Sequence, residues 1–116
     1  MKRIIVTGGR HYHDTATIRR VLEEYHQTPP PTLVHGGAPG ADSEAAYVAG
    51  YLLEWNIEAH PADWQRHGRA AGPIRNQQMV ATGADLVIAF PGGRGTADMV
   101  RRARAAGIPV RVIPPA

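Results

Sequence analysis

Three short apolar runs, each followed at once by a glycine-rich turn, constrain the fold of this chain more than any other feature. The runs and their turns occupy residues 4–9, 33–40 and 86–96. They are unbroken and rich in β-branched residues, as is typical of strands buried on both faces of a parallel sheet. Because parallel strands end at one edge of a sheet, the three turns are predicted to meet at the edge where ligands bind.

The remaining patterns extend this alternation of strand and helix along the whole chain. Helices are predicted after Asp14, which has N-cap chemistry, after Gly40, from Pro73 to Gly83, and over residues 96–106. Strands are predicted over residues 3–7, 32–35, 57–60, 85–90 and 110–113. The sequence therefore predicts one α/β domain over residues 1–116. We expect a Rossmann-like, doubly wound sheet of about five mainly parallel strands, with helices on both faces.

The composition restricts the class of partner. The formal net charge is +3, and Lys2 is the only lysine, so arginine supplies nearly all of the positive charge. An excess of this size suits an anionic small molecule as well as nucleic acid. The cluster of Arg101, Arg102 and Arg104 is interpreted as a solvated helix face, with nucleic-acid binding as the alternative. The chain has no cysteine and no apolar stretch near the roughly 20 residues of a membrane span. These features favour a cytoplasmic protein without membrane contact.

The second and third turns predict a binding site for a phosphate group. Free N–H groups at the start of a helix attract anions, and glycine lets the backbone approach a ligand closely. The alternative for each turn is a tight crossover from strand to helix, and Asp42 is interpreted either as a helix N-cap or as an acceptor for a ribose or base. Neither turn matches the dinucleotide fingerprint or the P-loop. The residues expected to contact the ligand are Gly36, Gly37, Gly40, Asp42, Pro91, Gly92, Gly93, Gly95 and Thr96.

Arg75 is expected to neutralise the phosphate. If the helix begins at Pro73, Arg75 lies in its first turn, where the helix dipole disfavours a cation unless an anion joins it. A guanidinium can hold a phosphate through two parallel hydrogen bonds. The alternative is a surface ion pair with a carboxylate such as Asp63. The neighbouring Asn76 is expected to contact a sugar or a base.

Residues at the ends of the other strands complete the predicted site. Gly8, Gly9 and Arg10 follow the first strand and offer another contact for an anion. Trp64 follows the third strand and is interpreted either as a stacking platform for a base or as a cap on the core. His35 ends the second strand and is interpreted either as a general base or as a packed histidine bonded to the backbone.

Together these motifs resemble the SLOG superfamily, and most closely its YspA-type branch of small prokaryotic and phage proteins. The resemblance rests on residues 7–10, 35–42, 63–64, 71–76 and 91–96, which span almost the whole chain. It implies binding of a nucleotide or a nucleotide-derived signal. It also implies a homo-oligomer, with a dimer as the expected state. Another relative, the DprA family, handles single-stranded DNA.

The superfamily is also similar to the Lonely Guy-type phosphoribohydrolases, which release a base from a nucleoside 5′-monophosphate. Residues 91–96 match the first six positions of their signature P-G-G-x-G-T-x-x-E, and Arg75 matches their essential arginine. Met99 occupies the position of their catalytic glutamate, and a thioether can neither carry charge nor orient water. Asp98 is adjacent, but a helix turns about 100° per residue, so its side chain is expected to point elsewhere.

The leading hypothesis is therefore a nucleotide-binding domain rather than an enzyme. The first alternative is an N-glycosidic hydrolase that uses Arg75 and Asp98, and the second is DprA-like nucleic-acid binding. No cofactor is expected. No metal is expected either, because the sequence places no further ligands around His11 and His13.

Overall fold

The computed structural model describes residues 2–115 and contains a five-stranded sheet. The strands are β1 (Arg3–Thr7), β2 (Thr32–His35), β3 (Asn56–Ala59), β4 (Leu86–Ala89) and β5 (Val110–Val112). Their order across the sheet is β3-β2-β1-β4-β5, and every neighbouring pair is parallel. This open arrangement is the α/β, Rossmann-like sheet that the sequence predicts. The direction of the chain connections reverses between β1 and β4, so the topological switch point lies at the centre of the sheet.

Within residues 2–115, five α-helices accompany the sheet and cover both of its faces. They are α1 (Thr15–Glu23), α2 (Ala41–Tyr47), α3 (Trp64–His67), α4 (Ala71–Thr82) and α5 (Arg94–Ala105). Because side chains alternate along a strand, Ile4 and Val6 of β1 pack on α1 and α2, while Ile5 packs on α4 and α5. No helix among residues 2–115 is long and apolar enough to cross a membrane.

The local signals for helix ends explain two boundaries. The Asp14 side chain accepts a hydrogen bond from the backbone N–H of Thr17 at 3.1 Å, which caps α1 as predicted. Gly83 has a φ of +87° and ends α4 as predicted. Both signals act through one residue and its own backbone, so they can be recognised without knowledge of the tertiary structure.

Two helix starts differ from the prediction. A 3-10 turn over Gly68–Ala70 leads directly into α4, which therefore begins at Ala71 rather than at Pro73. Similarly, α5 begins at Arg94 rather than at Thr96. Arg75 consequently lies in the second turn of its helix, and the argument from an unfavourable first-turn dipole was wrong. The reason for its position has to be found in its contacts.

The segment after α2 also departs from a regular helix. A π-helical turn spans Val48–Leu52 and is closed by a hydrogen bond from the N–H of Leu53 to the carbonyl of Val48 at 3.0 Å. Leu52, at the end of this turn, is 41% exposed. The buried end of this segment is Trp55, whose indole N–H donates to Nδ1 of His26 at 2.9 Å.

Candidate functional site

A cavity of about 970 Å³ opens at the C-terminal ends of the central strands. Its walls come from the turns after β1, β2 and β3, and from the starts of α4 and α5. The structure brings most of the predicted site residues into this one cavity. They are Gly8, Gly9, Arg10, Gly36, Gly37, Asp42, Trp64, Arg75, Asn76, Gly93, Gly95 and Thr96. The convergence of segments from the whole chain follows from the parallel sheet, which places every strand C-terminus at one edge.

Gly40, Pro91 and Gly92 do not line this cavity: Gly40 is buried, and Pro91 and Gly92 border a second pocket next to β5. A Cβ at Gly40 would collide with the carbonyls of Gly9 and Arg10, and its φ is +78°. A Cβ at Gly92 would lie 2.7 Å from the backbone nitrogen of Gly9, which itself donates to the carbonyl of Pro91 at 2.8 Å. We call this contact between turns the glycine seam (Gly8, Gly9, Gly40 and Gly92). Close packing requires glycine at these positions. A Cβ at Gly9, Gly40 or Gly92 would press on the backbone of another turn, and a Cβ at Gly8 would lie 2.5 Å from Cβ of Ala41.

The first turn of α5 faces the cavity with a different set of glycines. Gly93 is the N-cap and provides no side-chain acceptor for the helix, whose first N–H groups have no partner within it. A Cβ at Gly93 or Gly95 would meet no neighbouring atom within 4 Å. Neither glycine has a φ in the left-handed region. No packing contact among residues 2–115 therefore requires glycine at these two positions. The exposed backbone N–H groups can bind an anion.

Arg75 is a half-buried cation in the cavity wall. Its guanidinium donates to the carbonyl of Gly36 and, through Nε, to Oδ1 of Asn76 at 3.0 Å. A Cβ at Gly36 would overlap the guanidinium, so this glycine makes room for the arginine. Burial lowers the pKa of Arg75, and the charge of Asp42 only partly opposes that shift.

No carboxylate pairs with Arg75 among residues 2–115. The predicted alternative, an ion pair with Asp63, is wrong, because Asp63 caps α3 by accepting from the N–H of Arg66 at 3.1 Å. A cation that is half removed from water, with no carboxylate in ion-pair contact, is costly to keep. Its placement is explained if an anion enters the cavity.

Asn76 and Asp98 tie α4 to α5 beside Arg75. The amide of Asn76 donates to the carbonyl of Gly95 at 3.3 Å and to Oδ2 of Asp98 at 3.0 Å. Arg101 and Arg102 donate to the same carboxylate at 2.5 and 2.9 Å. The Asn76 amide is thus engaged on both its oxygen and its nitrogen by protein groups. It fixes Arg75 relative to the first turn of α5.

Asp98 lines the cavity, contrary to the expectation from helical rotation. Burial acts to raise its pKa, but hydrogen bonds from Asn76 and Arg102 and the charges of Arg102 and Arg101 outweigh it and hold the pKa below its ordinary value. Asp98 is therefore an ionised, well-bonded carboxylate. The adjacent Met99 also borders the cavity but is 1% exposed and packs in the core under α4 and α5.

Asp42 and His35 shape the turn after β2. Oδ2 of the buried Asp42 accepts from the N–H groups of Gly36 at 2.9 Å and Ala38 at 3.3 Å. Burial raises the pKa of Asp42, against these two hydrogen bonds. Nδ1 of His35 accepts from the N–H of Gly37 at 3.0 Å, and burial lowers the pKa of His35. His35 is the packed, backbone-bonded histidine of the second interpretation.

The outer wall adds cations that the sequence reasoning did not assign to the site. Arg69 and Arg94 line the cavity together with Arg10, and all three are exposed. Trp64 stands beside them, 58% exposed, so it does not cap the core. Arg69 lies two residues before the 71–76 motif, and Arg94 lies within the 91–96 motif. Their position inside or beside glycine-rich motifs was the available signal. Arg101, interpreted as part of a solvated face, also reaches the cavity.

The histidines after β1 do not gather further ligands. Nδ1 of His13 lies 3.4 Å from a carboxylate oxygen of Glu44, whose other oxygen accepts from the hydroxyl of Thr15. Within residues 2–115, no three histidine, aspartate or glutamate side chains form a cluster that could hold a metal ion.

Comparison with known proteins identifies the family. The family model described as "YspA, cpYpsA-related SLOG family" matches residues 2–67, which is more than half of the chain. The chain belongs to this SLOG family. It is also 44% identical over 118 residues to the Gene 61 protein of Mycobacterium phage D29, an alignment that covers 95% of this chain and 94% of that protein. The matched residues include β1 to β3 and the turns that follow β1 and β2. They supply about half of the residues that line the cavity.

Proposed function

We propose that this SLOG protein binds a nucleotide or nucleotide-derived molecule in the cavity, with the phosphate at the first turn of α5. The observation that carries the proposal is Arg75, a half-buried guanidinium that has no carboxylate partner among residues 2–115 and is bound through Asn76 to that turn. Gly93 and Gly95 support the proposal, because the space beside each of them is not filled by any other group among residues 2–115.

The same site favours binding over hydrolysis. A phosphoribohydrolase of the resembled type needs a carboxylate that can assist the departure of the base or the attack of water. Met99 stands at that position and is buried in the core. Cleavage would therefore have to use another group.

Asp98 keeps a second candidate function open, because it does line the cavity. An N-glycosidic hydrolase could use the Asp98 carboxylate to stabilise the positive charge that develops on the ribose as the base leaves. The three cationic and amide partners of Asp98 compete with this role. Release of free base from a nucleoside monophosphate, lost in both Asp98→Asn and Arg75→Gln, is the result that would favour it.

One incubation separates the two functions. Purified protein is mixed with a pooled panel of nucleotides that includes NAD and ADP-ribose, and mass spectrometry measures both the retained compounds and the products. We expect an intact phosphorylated compound to be retained by the wild type and lost from Arg75→Gln. The exposed Arg20 lies outside the cavity on α1, so Arg20→Gln is the matched control.

A melting experiment checks the retained compound independently. Ligand at about 100 times its dissociation constant stabilises a folded protein by roughly 2.7 kcal/mol. We expect the midpoint of unfolding to rise for wild type and Arg20→Gln but not for Arg75→Gln. Failure of every compound in the panel to be retained or to raise the midpoint would contradict the proposed function.

A further inference from the structure

The cavity carries more positive charge than one phosphate group can neutralise. Five arginines and two aspartates line it, which gives a formal charge of +3. A phosphate monoester carries about −1.5 to −2 at neutral pH. A nucleoside monophosphate would leave positive charge uncompensated in a concave site, where the low-dielectric walls concentrate the potential.

The excess charge resides on arginines that the protein itself leaves unpaired. Arg101 is bonded to Asp98 at 2.5 Å. By contrast, none of the other four cavity arginines lies within 4 Å of a carboxylate in the described part of the chain. These four are Arg10, Arg69, Arg75 and Arg94.

The four cations stand on separate elements. Arg75 is fixed to the first turn of α5 through Asn76, whose oxygen is 3.0 Å from Nε of Arg75 and whose nitrogen is 3.3 Å from the carbonyl of Gly95. This inner group suits one phosphate. Arg10 follows β1 and Arg69 precedes α4. Both lie on parts of the cavity wall other than the first turn of α5, where the first phosphate is proposed to bind. Both side chains are exposed and can reach a second anionic group.

We infer that the cavity takes a ligand with at least three negative charges, of the nucleoside 5′-diphosphate class, and that Arg10 and Arg69 select it over a monophosphate. This inference rests on the proposed function of the same site. One phosphate binds the first turn of α5 and Arg75. The additional phosphate binds at the rim of the cavity, which we define as Arg10, Trp64 and Arg69. Trp64 offers an exposed aromatic face there.

The test compares matched ligands that differ by one phosphate. Calorimetry at fixed ionic strength, with EDTA present, measures the dissociation constants of the four ribonucleoside 5′-monophosphates and the four matching diphosphates. We expect the best-binding base to favour its diphosphate by about tenfold or more. We expect Arg10→Gln and Arg69→Gln each to reduce that ratio, chiefly by weakening the diphosphate, while Arg20→Gln leaves it unchanged. Arg10 and Arg69 are exposed, so neither variant removes a buried contact.

The outcomes distinguish failure of this inference from failure of the proposed function. Equal affinity for the monophosphate and the diphosphate, within twofold, would overturn this inference and leave the proposed function intact. The assignment of the rim would also be overturned if Arg10→Gln and Arg69→Gln weakened both ligands by the same factor. If none of the eight nucleotides bound more tightly than adenosine, the proposed function itself would fail for mononucleotides, and this inference with it.

Discussion

The glycines of this protein occupy two regions that differ in what requires them. In the glycine seam, Gly40 and Gly92 stand where any side chain would collide with another stretch of backbone. On the cavity side of the same turns, Gly93 and Gly95 face open space. A glycine-rich motif can therefore hold two kinds of position. One kind is explained by the fold, and the other points outward to a ligand.

The largest effect is expected from Gly40→Ala in the seam. The residue combines a φ of +78° with a collision between the new Cβ and the carbonyls of Gly9 and Arg10. Strain and overpacking together should reduce the free energy of unfolding by about 3 kcal/mol. Urea denaturation measures the change. Gly107→Ala is the matched control, because Gly107 has a φ of +77° but open space at its Cβ. Equal losses in the two variants would show that the seam is not tightly packed.

A smaller effect is expected from Asp42→Ala, which removes the acceptor that fixes the turn after β2. The N–H groups of Gly36 and Ala38 would lose their bonds to Oδ2. Leaving buried donors without a partner costs about 1–3 kcal/mol. Asp42→Asn should lose less than 1 kcal/mol, since its amide oxygen can accept the same bonds and no charge is buried. If Asp42→Asn lowers the free energy of unfolding as much as Asp42→Ala does, the charge of the carboxylate matters more than its geometry.

Two arginines show the same contrast between a residue that the fold explains and one that points to a ligand. Arg3, unlike Arg75, has a carboxylate partner. Arg3 donates to both oxygens of Glu58 at 2.7 Å and to the carbonyl of Gly83 at 2.9 Å. Its hydrogen bonds, followed by one from His60, lower the pKa of Glu58 to about 2 from an ordinary 4.5. Because the pKa is lowered in the folded state, the stabilisation is complete above about pH 4.5 and is lost as the pH falls towards 2.

Glu58→Gln should therefore cost about 1 kcal/mol at pH 7, a value that allows for solvent screening of a side chain that is 35% exposed. The difference from wild type should shrink steadily between pH 5 and pH 3. Urea unfolding at several pH values gives this profile. A difference that stays constant over that range would mean that the Arg3 pair does not supply the stabilisation.

The smallest effect on stability, with the opposite sign, is expected from Gly95→Ala on the cavity side. Alanine is a better helix former than glycine, so the free energy of unfolding should rise by a few tenths of a kcal/mol. The new methyl group occupies space next to the proposed phosphate, and nucleotide affinity should fall about tenfold. Thermal unfolding and calorimetry report the two changes separately. Unchanged affinity would place the phosphate elsewhere in the cavity.

Much of the fold could be predicted because its signals are local. β1 and β2 were predicted to the residue, since a strand buried on both faces is an uninterrupted apolar run between turn residues. The starts of α4 and α5 could not be, because a 3-10 turn and a glycine N-cap lead into them without side-chain caps. The π-helical turn after α2 likewise has no local signature in the sequence.

The candidate site was predictable in its residues but not in its pairings. The strand ends identified the glycine-rich turns, and the parallel sheet brought these together. Arg75 and Asn76 were identified from a helix start that proved to lie earlier and from the 71–76 motif. The sequence could not show that Asn76 bonds to Asp98, because the two residues lie on different helices. Nor could it show that Arg69 reaches the rim, since the direction of an exposed side chain depends on how α3 and α4 meet.

The strand order also has a consequence for the growing chain on the ribosome. β1 is made before the other four strands of the sheet and lies at its centre, yet one of its two neighbours, β4, is made some 80 residues later. In the finished protein α4 and α5 cover the face of β1 that carries Ile5, and both helices are made only from residue 71 onward. The nascent chain therefore holds this apolar surface open until α4 has been made. The cavity, whose last wall is the start of α5, comes into being only once residue 94 and the turn that follows it have been made.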